Sequence, residues 1–327
     1  MKIRVLVTGV GGVIGQGIIR SVRMSGLNCQ IIVADANPLS AGFYMGDEKL
    51  VIPYASESGF ADEIFEVCKE KSVDIILPGI YQDVSVLSGM ARHFEENIGT
   101  RVVACNKEAL DCAEDKWSTF NFLKCNGLNF SPTIKGEDID NLEEFIEESG
   151  YPVVLKKRRG HGSKGLLIVR DRAELDFLLP RHKDVILQKY LYPDEEEYTC
   201  GVFAGPGGEI WDTMAMKREL SCGMTYKGEV SSNNDVKNEA ENAVRMLKAT
   251  GPCNVQLRMT PHGPVIFEIN ARFSSSTSIR ARFGFNEARM AVESYLCKAP
   301  PAKQAINEGI ALRYWDEIVL PRTHENS

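Results

Sequence analysis

The strongest constraint on the fold of this chain comes from a pair of alternating segments, residues 253–259 and 265–273, on either side of Pro261-His262-Gly263. In the first segment, polar and apolar side chains alternate with a period of two, as they do in a strand that buries one face. In the second segment, the odd positions are apolar and the even positions from Glu268 onward are polar. Because proline and glycine favour a turn, the pattern predicts an antiparallel hairpin.

Polar side chains are expected to collect on one face of this hairpin. The simplest register through the turn sets Gln256 opposite Glu268. It also sets Asn254 opposite Asn270, and Arg272 follows on the same face as Asn270. Carboxylate and amide oxygens suit Mg²⁺, and a guanidinium suits phosphate oxygens. A solvated sheet face is the commoner explanation of such alternation, so the pattern alone leaves both interpretations open.

Strand-like and helix-like segments alternate through the first part of the chain. The predicted strands are 3–7, 31–34, 75–77 and 102–104, and the predicted helices are 15–24, 60–71 and 84–96. This alternation predicts a parallel sheet covered by helices, an α/β unit. A helix over 115–126 then opens a small α+β unit, and longer strands dominate from Tyr198 onward.

Charge and cysteine content exclude several classes of protein. The net charge of −7 argues against nucleic acid as a partner, because phosphate-backbone binding needs a basic face. The nine cysteines contain no CxxC pair, which is typical of reduced thiols rather than disulfides or a zinc site. No apolar run approaches the length of a membrane span, and the first apolar run is better explained as a strand than as a signal peptide. The composition therefore predicts a cytoplasmic protein.

A basic, glycine-rich loop follows the predicted strand at 153–156. The strand ends in Lys156, and the loop contains Gly160, Gly162 and Gly165 among several cations. Such a loop can bring backbone amides close to phosphates, although the order of a Walker A loop is absent. A basic surface hairpin is the alternative explanation.

The order Gln256…Glu268-x-Asn270-x-Arg272, followed by the serine-rich stretch 273–278, resembles the magnesium-binding segment of ATP-grasp enzymes. The similarity is greatest to the large subunit of carbamoyl phosphate synthetase and its short stand-alone relatives. It implies an ATP-grasp fold behind a Rossmann-like N-terminal domain. It also implies that Gln256, Glu268 and Asn270 hold Mg²⁺ or Mn²⁺, and that Arg272 faces the transferred phosphate.

The same resemblance assigns the nucleotide-binding residues and the domains. The residues implied to bind ATP are Lys116, Lys156, Gly162, Ser163, Gln188, Lys189, Leu191 and Glu197. Lys217 is implied to hold the phosphates or an acyl phosphate, and an exposed strand end is the alternative explanation of this basic segment. The implied domains are a Rossmann-like domain at 1–113, a lid subdomain at 114–191, a large subdomain with the metal site at 192–318, and a tail at 319–327.

The activity that the resemblance implies is ATP-dependent ligation of a small-molecule carboxylate to an amine. The carboxylate would become an acyl phosphate, and ADP and phosphate would be released. Carboxyphosphate chemistry on bicarbonate is an alternative within the family, and a homodimer is left open because relatives are often dimers. Arg280 and Arg282 are either ligands of the substrate carboxylate or surface charges.

A different class of function is suggested by the glycines that follow the first strand. Residues 8–15 read Thr-Gly-Val-Gly-Gly-Val-Ile-Gly, and Asp35 lies at the end of the second predicted strand. This layout resembles the dinucleotide turn of short-chain dehydrogenases, with an acid for the ribose. None of the tyrosines has a lysine four residues later, as proton transfer in those enzymes requires. An NAD(P)-binding oxidoreductase and an ATP-binding regulator without chemistry remain the alternatives.

Overall fold

The computed structural model describes residues 2–160, 162, 165–297, 300–301 and 303–320. Within them the chain forms three sheets, which use residues 3–102, 133–189 and 197–312. The mixture of a parallel sheet with two antiparallel sheets confirms the predicted α/β and α+β class. No helix among the described ranges has both the length and the hydropathy needed to cross a bilayer.

The N-terminal sheet is parallel, with the strand order β3-β2-β1-β4-β5. Its elements are β1 (Ile3–Thr8), α1 (Val13–Met24), β2 (Cys29–Asp35), β3 (Glu48–Val51), α2 (Phe60–Lys71), β4 (Ile75–Pro78), α3 (Tyr81–Ile98) and β5 (Arg101–Val102). Val5, Leu6 and Val7 are all fully buried, because helices cover both faces of the sheet. Leu6 packs towards α2 and α3, whereas Val5 and Val7 pack towards α1.

The small sheet is antiparallel, with the order β6-β9-β7-β8. It is preceded by α4 (Lys107–Glu114) and α5 (Lys116–Cys125), and it comprises β6 (Thr133–Lys135), α6 (Leu142–Ser149), β7 (Val153–Lys157), β8 (Leu167–Val169), α7 (Arg172–Leu178) and β9 (Val185–Lys189). One face buries Val153, Leu155 and Leu187 against α6 and α7. Alternation along the strands therefore turns Val154, Lys156 and Gln188 towards the opposite face.

The large sheet is antiparallel, with the order β14-β13-β10-β11-β12-β15. Its elements are β10 (Glu197–Ala204), β11 (Ile210–Ser221), β12 (Met224–Ser231), α8 (Asn234–Leu247), β13 (Gly251–Thr260), β14 (Gly263–Asn270), α9 (Thr277–Arg282), α10 (Glu287–Cys297) and β15 (Ile310–Leu312). Val255 and Ile269 pack with Val244 of α8 on one face. On the other face, Phe203 and Met214 share a core with the N-terminal domain.

The predicted hairpin register is confirmed. Gln256 lies opposite Glu268, and Asn254 lies opposite Asn270. Nearer the turn, Leu257 pairs with Ile266, so the register shifts by one residue. This irregularity is a β-bulge, and it places Phe267 and Glu268 on the same side of the strand, where both line one cavity.

Candidate functional site

A cavity of about 270 Å³ lies between the small and the large sheet, beside the segment that leads from β9 to β10. Its lining includes the following residues that the resemblance assigned to ATP or metal: Lys156, Gly162, Gln188, Lys189, Leu191, Glu197, Gln256 and Glu268. These residues come from both sheets and from the glycine-rich loop. The tertiary structure therefore brings together stretches that are more than a hundred residues apart in the chain.

One part of the cavity is apolar. Val154 and Ile168 are cross-strand neighbours on the small sheet, and Phe267 faces the cavity from the large sheet. Leu166, Ile168 and Leu220 are exposed apolar side chains whose exposure is explained by their position in the cavity wall. An apolar wall beside a backbone segment suits a flat aromatic ring with a polar edge.

The other part of the cavity contains a buried lysine. Lys156 is 7% exposed, and its Nζ donates to Gln188 Oε1 over 2.8 Å. Gln188 Nε2 in turn donates to Thr133 Oγ1 over 3.0 Å. Burial lowers the pKa of Lys156 to about 8, although the charge of Glu268 opposes this shift. An anionic ligand would favour the charged form of this lysine and would be bound by it.

The polar side chains of the hairpin and of the residues that follow it form a chain of hydrogen bonds. Asn270 Nδ2 donates to Glu268 Oε1 over 3.0 Å, and Arg272 Nη2 donates to Asn270 Oδ1 over 3.0 Å. Burial raises the pKa of Glu268, but Lys116, Lys156 and the bond from Asn270 outweigh it, so that the net pKa is lowered. Glu268 is therefore held as a carboxylate, the form that binds metal.

These residues fit a hard cation. Among the described residues, no three His, Cys, Asp or Glu side chains come close enough to hold a metal by themselves. The oxygens that would bind the cation are those of the Glu268 carboxylate and the amides of Gln256 and Asn270, and each amide oxygen keeps a second lone pair beside the bond it accepts from Arg218 or Arg272. Mg²⁺ and Mn²⁺ accept such a sparse oxygen set when substrate phosphates supply further ligands.

Glu197 lines the cavity and is held by two arginines. Arg218 Nε donates to Glu197 Oε1 over 2.9 Å, and Arg258 Nη2 donates to Glu197 Oε2 over 2.7 Å. Arg218 Nη2 also donates to Gln256 Oε1 over 2.8 Å. Neither arginine was expected from the sequence, although the period of two places Arg258 on the same face of β13 as Gln256.

Lys217 does not reach the cavity. Its Nζ donates to Glu196 Oε1 over 2.5 Å, and Lys217 lies opposite the core residue Tyr198. Because side chains alternate along β11, the next residue, Arg218, faces the cavity instead. The placement of Lys217 at the phosphates stays a prediction, and the lining of the cavity favours its neighbour Arg218 for that position.

Lys116 lies next to the glycine-rich loop. Asp115 caps α5, as the predicted helix start requires, and accepts from Trp117 N over 3.0 Å. Lys116 Nζ donates to the Gly160 carbonyl over 2.9 Å. Arg158 forms an ion pair of 2.5 Å with Asp115 and so ties the start of the loop to α5. Ser163 lies outside the described residues.

Arg280 is neither a substrate ligand nor a surface charge. Its side chain is completely buried and forms an ion pair of 3.0 Å with Glu287. It also donates to Asn254 Oδ1 over 2.9 Å and to Ser274 Oγ over 2.7 Å. Arg280 thus supports the hairpin and the serine-rich stretch from behind, whereas Arg282 is exposed.

The N-terminal glycine turn uses its own acid internally. Asp35 Oδ2 accepts from Gly11 N over 2.6 Å, and Ser40 Oγ donates to Asp35 Oδ1 over 2.7 Å. A Cβ on Gly11 would lie 2.6 Å from Ser40 Oγ, so a larger residue there would displace the hydroxyl that donates to Asp35. The acid that would bind a ribose is therefore engaged within the turn, which disfavours the dinucleotide alternative.

Comparison with known proteins gives two family matches. Residues 181–318 match a model described as an ATP-grasp in the biosynthetic pathway with Ter operon. Residues 5–103 match the PylC-like N-terminal domain.

Curated relatives are much longer proteins. The carbamoyl phosphate synthase large chain of Pseudothermotoga lettingae is 23% identical over 307 residues, which are 88% of this chain and 26% of that protein. The corresponding protein of Sulfurisphaera tokodaii is 25% identical over 231 residues, 64% of this chain and 22% of that protein. The pyruvate carboxylase of Komagataella pastoris is 30% identical over 167 residues, 49% of this chain and 14% of that protein. The chain thus spans about a quarter or less of these relatives.

Solved structures share the fold at low identity. An ADP complex of N5-carboxyaminoimidazole ribonucleotide synthetase has a TM-score of 0.74 at 18% identity, covering 94% of this chain and 79% of that chain. The biotin carboxylase domain dimer of Hydrogenobacter thermophilus 2-oxoglutarate carboxylase has a TM-score of 0.71 at 17% identity, covering 94% and 73%. The family matches confirm the resemblance drawn from the hairpin: residues 181–318 match an ATP-grasp model, residues 5–103 match a PylC-like N-terminal domain, and the solved structures share the overall fold.

Proposed function

We propose that this chain is an ATP-dependent carboxylate–amine ligase that forms an acyl phosphate and releases ADP and phosphate. The observation that carries the proposal is the position of Gln256 and Glu268 on one wall of a cavity whose opposite wall carries the buried Lys156. A carboxylate, amide oxygens and a cation facing one another provide the groups that a metal–triphosphate complex needs.

The shape of the cavity suggests how ATP would lie. Adenine would occupy the apolar part, between Ile168 and Phe267, with its edge against the backbone of residues 189–191. The ribose would lie near Glu197. The triphosphate would extend towards Lys156 and Lys116, under the loop that contains Gly162 and the predicted ligand Ser163.

Gln256, Glu268 and Asn270 would hold Mg²⁺ or Mn²⁺. When bound, the metal would supply neutralisation of the charge on the phosphates. Lys156 and Arg272 would orient the transferred phosphoryl group, and Arg218 takes the role first assigned to Lys217. Arg218 is supported in this role by its bond to Gln256.

Two covalent steps follow from these placements. A substrate carboxylate oxygen attacks the γ-phosphorus while the bond to the ADP oxygen breaks, which yields an acyl phosphate. The amine nitrogen then attacks the acyl carbon, phosphate leaves, and the nitrogen loses a proton. Closure of the glycine-rich loop would exclude water, since acyl phosphates hydrolyse.

Bicarbonate is the specific alternative for the carboxylate. It is favoured by the similarity to carbamoyl phosphate synthases and by the biotin carboxylase structure, which is a complex with a bicarbonate anion. With bicarbonate, the same first step would give carboxyphosphate.

The remaining assignments are proposals of the same kind. The domain boundaries 1–113, 114–191 and 192–318 are supported by the separate chain segments of the three sheets. A cytoplasmic location is supported by nine free cysteines. A homodimer is suggested by the similar biotin carboxylase domain, which forms a dimer.

The proposal is tested by an ADP-release screen with Mg²⁺, a panel of carboxylates that includes bicarbonate, and a panel of amines. Glu268→Ala is expected to lower ADP release by at least about 100-fold, because it removes the metal carboxylate. Glu147→Ala, on the exposed side of α6, is the matched control and should behave as the unaltered protein.

Each other result points to a different function. Undiminished ADP release by Glu268→Ala would refute the site. Tight NAD binding without ATP binding would support the oxidoreductase alternative. ATP binding without turnover of any panel member would support a regulator without chemistry.

A further inference from the structure

Arg258 is a cavity residue to which the ligase proposal gives no role. It lies directly opposite Glu197 across β13 and β10. The side chains of Arg258 and Glu197 are only 11% and 13% exposed, and they form an ion pair of 2.7 Å. An arginine this well covered at the edge of a ligand cavity is held by several partners at once.

The second set of partners lies on the segment between the small and the large sheet. The Nη1 of Arg258 donates to the Leu191 carbonyl and, over 3.2 Å, to Asp194 Oδ1. The Tyr190 ring lies 5.5 Å from the guanidinium, and Tyr190 Oη donates to the same Asp194 oxygen over 2.8 Å. The Asp194 side chain is 63% exposed, so little packing holds it in place. The bonds from Arg258 to Leu191 and Asp194 therefore help to fix the conformation of this segment.

Glu197 keeps room for a ligand despite its two arginines. Arg218 approaches Glu197 Oε1 with both Nε (2.9 Å) and Nη2 (2.8 Å), whereas Arg258 approaches Oε2 with Nη2 alone, so one lone pair of Oε2 is left. A carboxylate has about four lone-pair directions, so a hydroxyl donor can still be accepted. Fixing both oxygens removes the freedom of the side chain to turn away from that donor.

We propose that Arg258 is a positioning residue that makes the nucleotide site selective for ribose over deoxyribose. It holds Glu197 in the orientation that accepts a ribose hydroxyl, and it holds the Leu191 peptide against which the base lies. This inference rests on the proposed ATP site. The selectivity arises because a nucleotide without the hydroxyl leaves the fixed carboxylate short of one donor.

The test compares the binding of ATP, 2′-deoxyATP and 3′-deoxyATP by isothermal titration calorimetry with Mg²⁺. The unaltered protein is expected to bind ATP on the order of 10-fold more tightly than at least one deoxy analogue. In Arg258→Met, which keeps the length of the side chain but not its donors, this ratio should fall to within about 3-fold. Arg258→Lys keeps the charge and should retain part of the selectivity.

Controls separate selectivity from stability. Arg245→Met, on α8 with a side chain 57% exposed, should bind all nucleotides as the unaltered protein does. Melting temperatures of the ligand-free variants show whether each one folds, and Arg258→Lys carries the test if Arg258→Met does not.

The outcomes are distinct. Equal weakening of ATP and both analogues in Arg258→Met would reduce the residue to a structural support and overturn the inference. Equal affinity of the unaltered protein for all three nucleotides would also overturn it, while leaving ATP binding intact. Failure of the unaltered protein to bind ATP at all would instead contradict the proposed function.

Discussion

Two buried cationic side chains of this chain have partners of different kinds. Arg280 is paired with Glu287 and hydrogen-bonded on its remaining sides, as a structural ion pair must be. Lys156 donates to the uncharged Gln188, and its pKa is lowered by burial to about 8. This contrast at the level of single residues separates a framework charge from a charge that a ligand is expected to complete.

Asp83 gives the chain a pH-dependent stability that is unrelated to the cavity. This carboxyl group is 3% exposed and accepts from Thr8 Oγ1 over 2.6 Å. Burial raises its pKa to about 6 from 3.8, with a smaller contribution from Asp35 and against the bond from Thr8. The folded state therefore holds the proton more tightly than the unfolded state. The stabilisation is complete below about pH 3.8 and is lost as the pH rises through about 6.

We expect Asp83→Asn to remove the loss of stability at high pH, because an amide does not ionise. The gain in the free energy of unfolding, relative to the unaltered protein, should be larger at pH 8 than at pH 5, with a ceiling of about 3 kcal/mol. Urea denaturation at the two pH values measures it. A gain that is larger at pH 5 would have the wrong sign and would contradict the assignment.

Among the elements, the β11–β12 turn and the glycine-rich loop approach each other more closely than side chains allow. Gly223 has φ +72, and a Cβ there would lie 2.4 Å from the Gly162 carbonyl oxygen. Both glycines line the cavity, so their contact closes one side of it. The tip of one hairpin is thus expected to support the loop that covers the phosphates.

Gly223→Ala should separate these two elements. We expect affinity for ATP to fall on the order of 10-fold, because the loop can no longer rest on the turn. Gly208→Ala is a matched control: it has φ +87 and the same left-handed cost, but no atom of the described residues lies within 4 Å of the added Cβ. Calorimetric titration with ATP compares them, and an equal effect of both substitutions would show that backbone strain alone is responsible.

In the whole molecule, the cavity is shared by two sheets that belong to separate parts of the chain. A ligand that contacts Lys156 on one side and Glu268 on the other would therefore join these parts. Binding to the folded state alone stabilises a protein by about 2.7 kcal/mol at a ligand concentration of about 100 times Kd.

We expect the melting temperature to rise by several degrees when ATP and Mg²⁺ are added together. Chelation of the metal should remove most of the increase, since the phosphates would then meet the Glu268 carboxylate without a bridging cation. A melting curve with ATP, with and without a chelator, provides the measurement. An unchanged melting temperature at saturating ATP and Mg²⁺ would contradict a ligand held between the sheets.

Features that depend on local periodicity could be predicted from the amino-acid order. They include the parallel strands of the N-terminal sheet, the helix that starts at Asp115, and the pairing of Gln256 with Glu268. These features are predictable because the side-chain period of a strand or helix is visible in neighbouring residues. β12 lies outside the strands that the sequence predicts after Tyr198, which are 198–204, 209–218, 253–260 and 264–272, because its polar residues and Gly228 form a strand only by pairing with β11.

Only the tertiary structure determines which partner each face of a strand packs against. In the folded chain Arg218 lines the cavity, Arg280 is buried behind the hairpin, and Asp35 accepts hydrogen bonds within its own turn. The fold also places a bulge that brings Phe267 to the side of Glu268. The physical reason is that burial and pairing depend on residues far away in the chain, whereas periodicity states only that two faces exist.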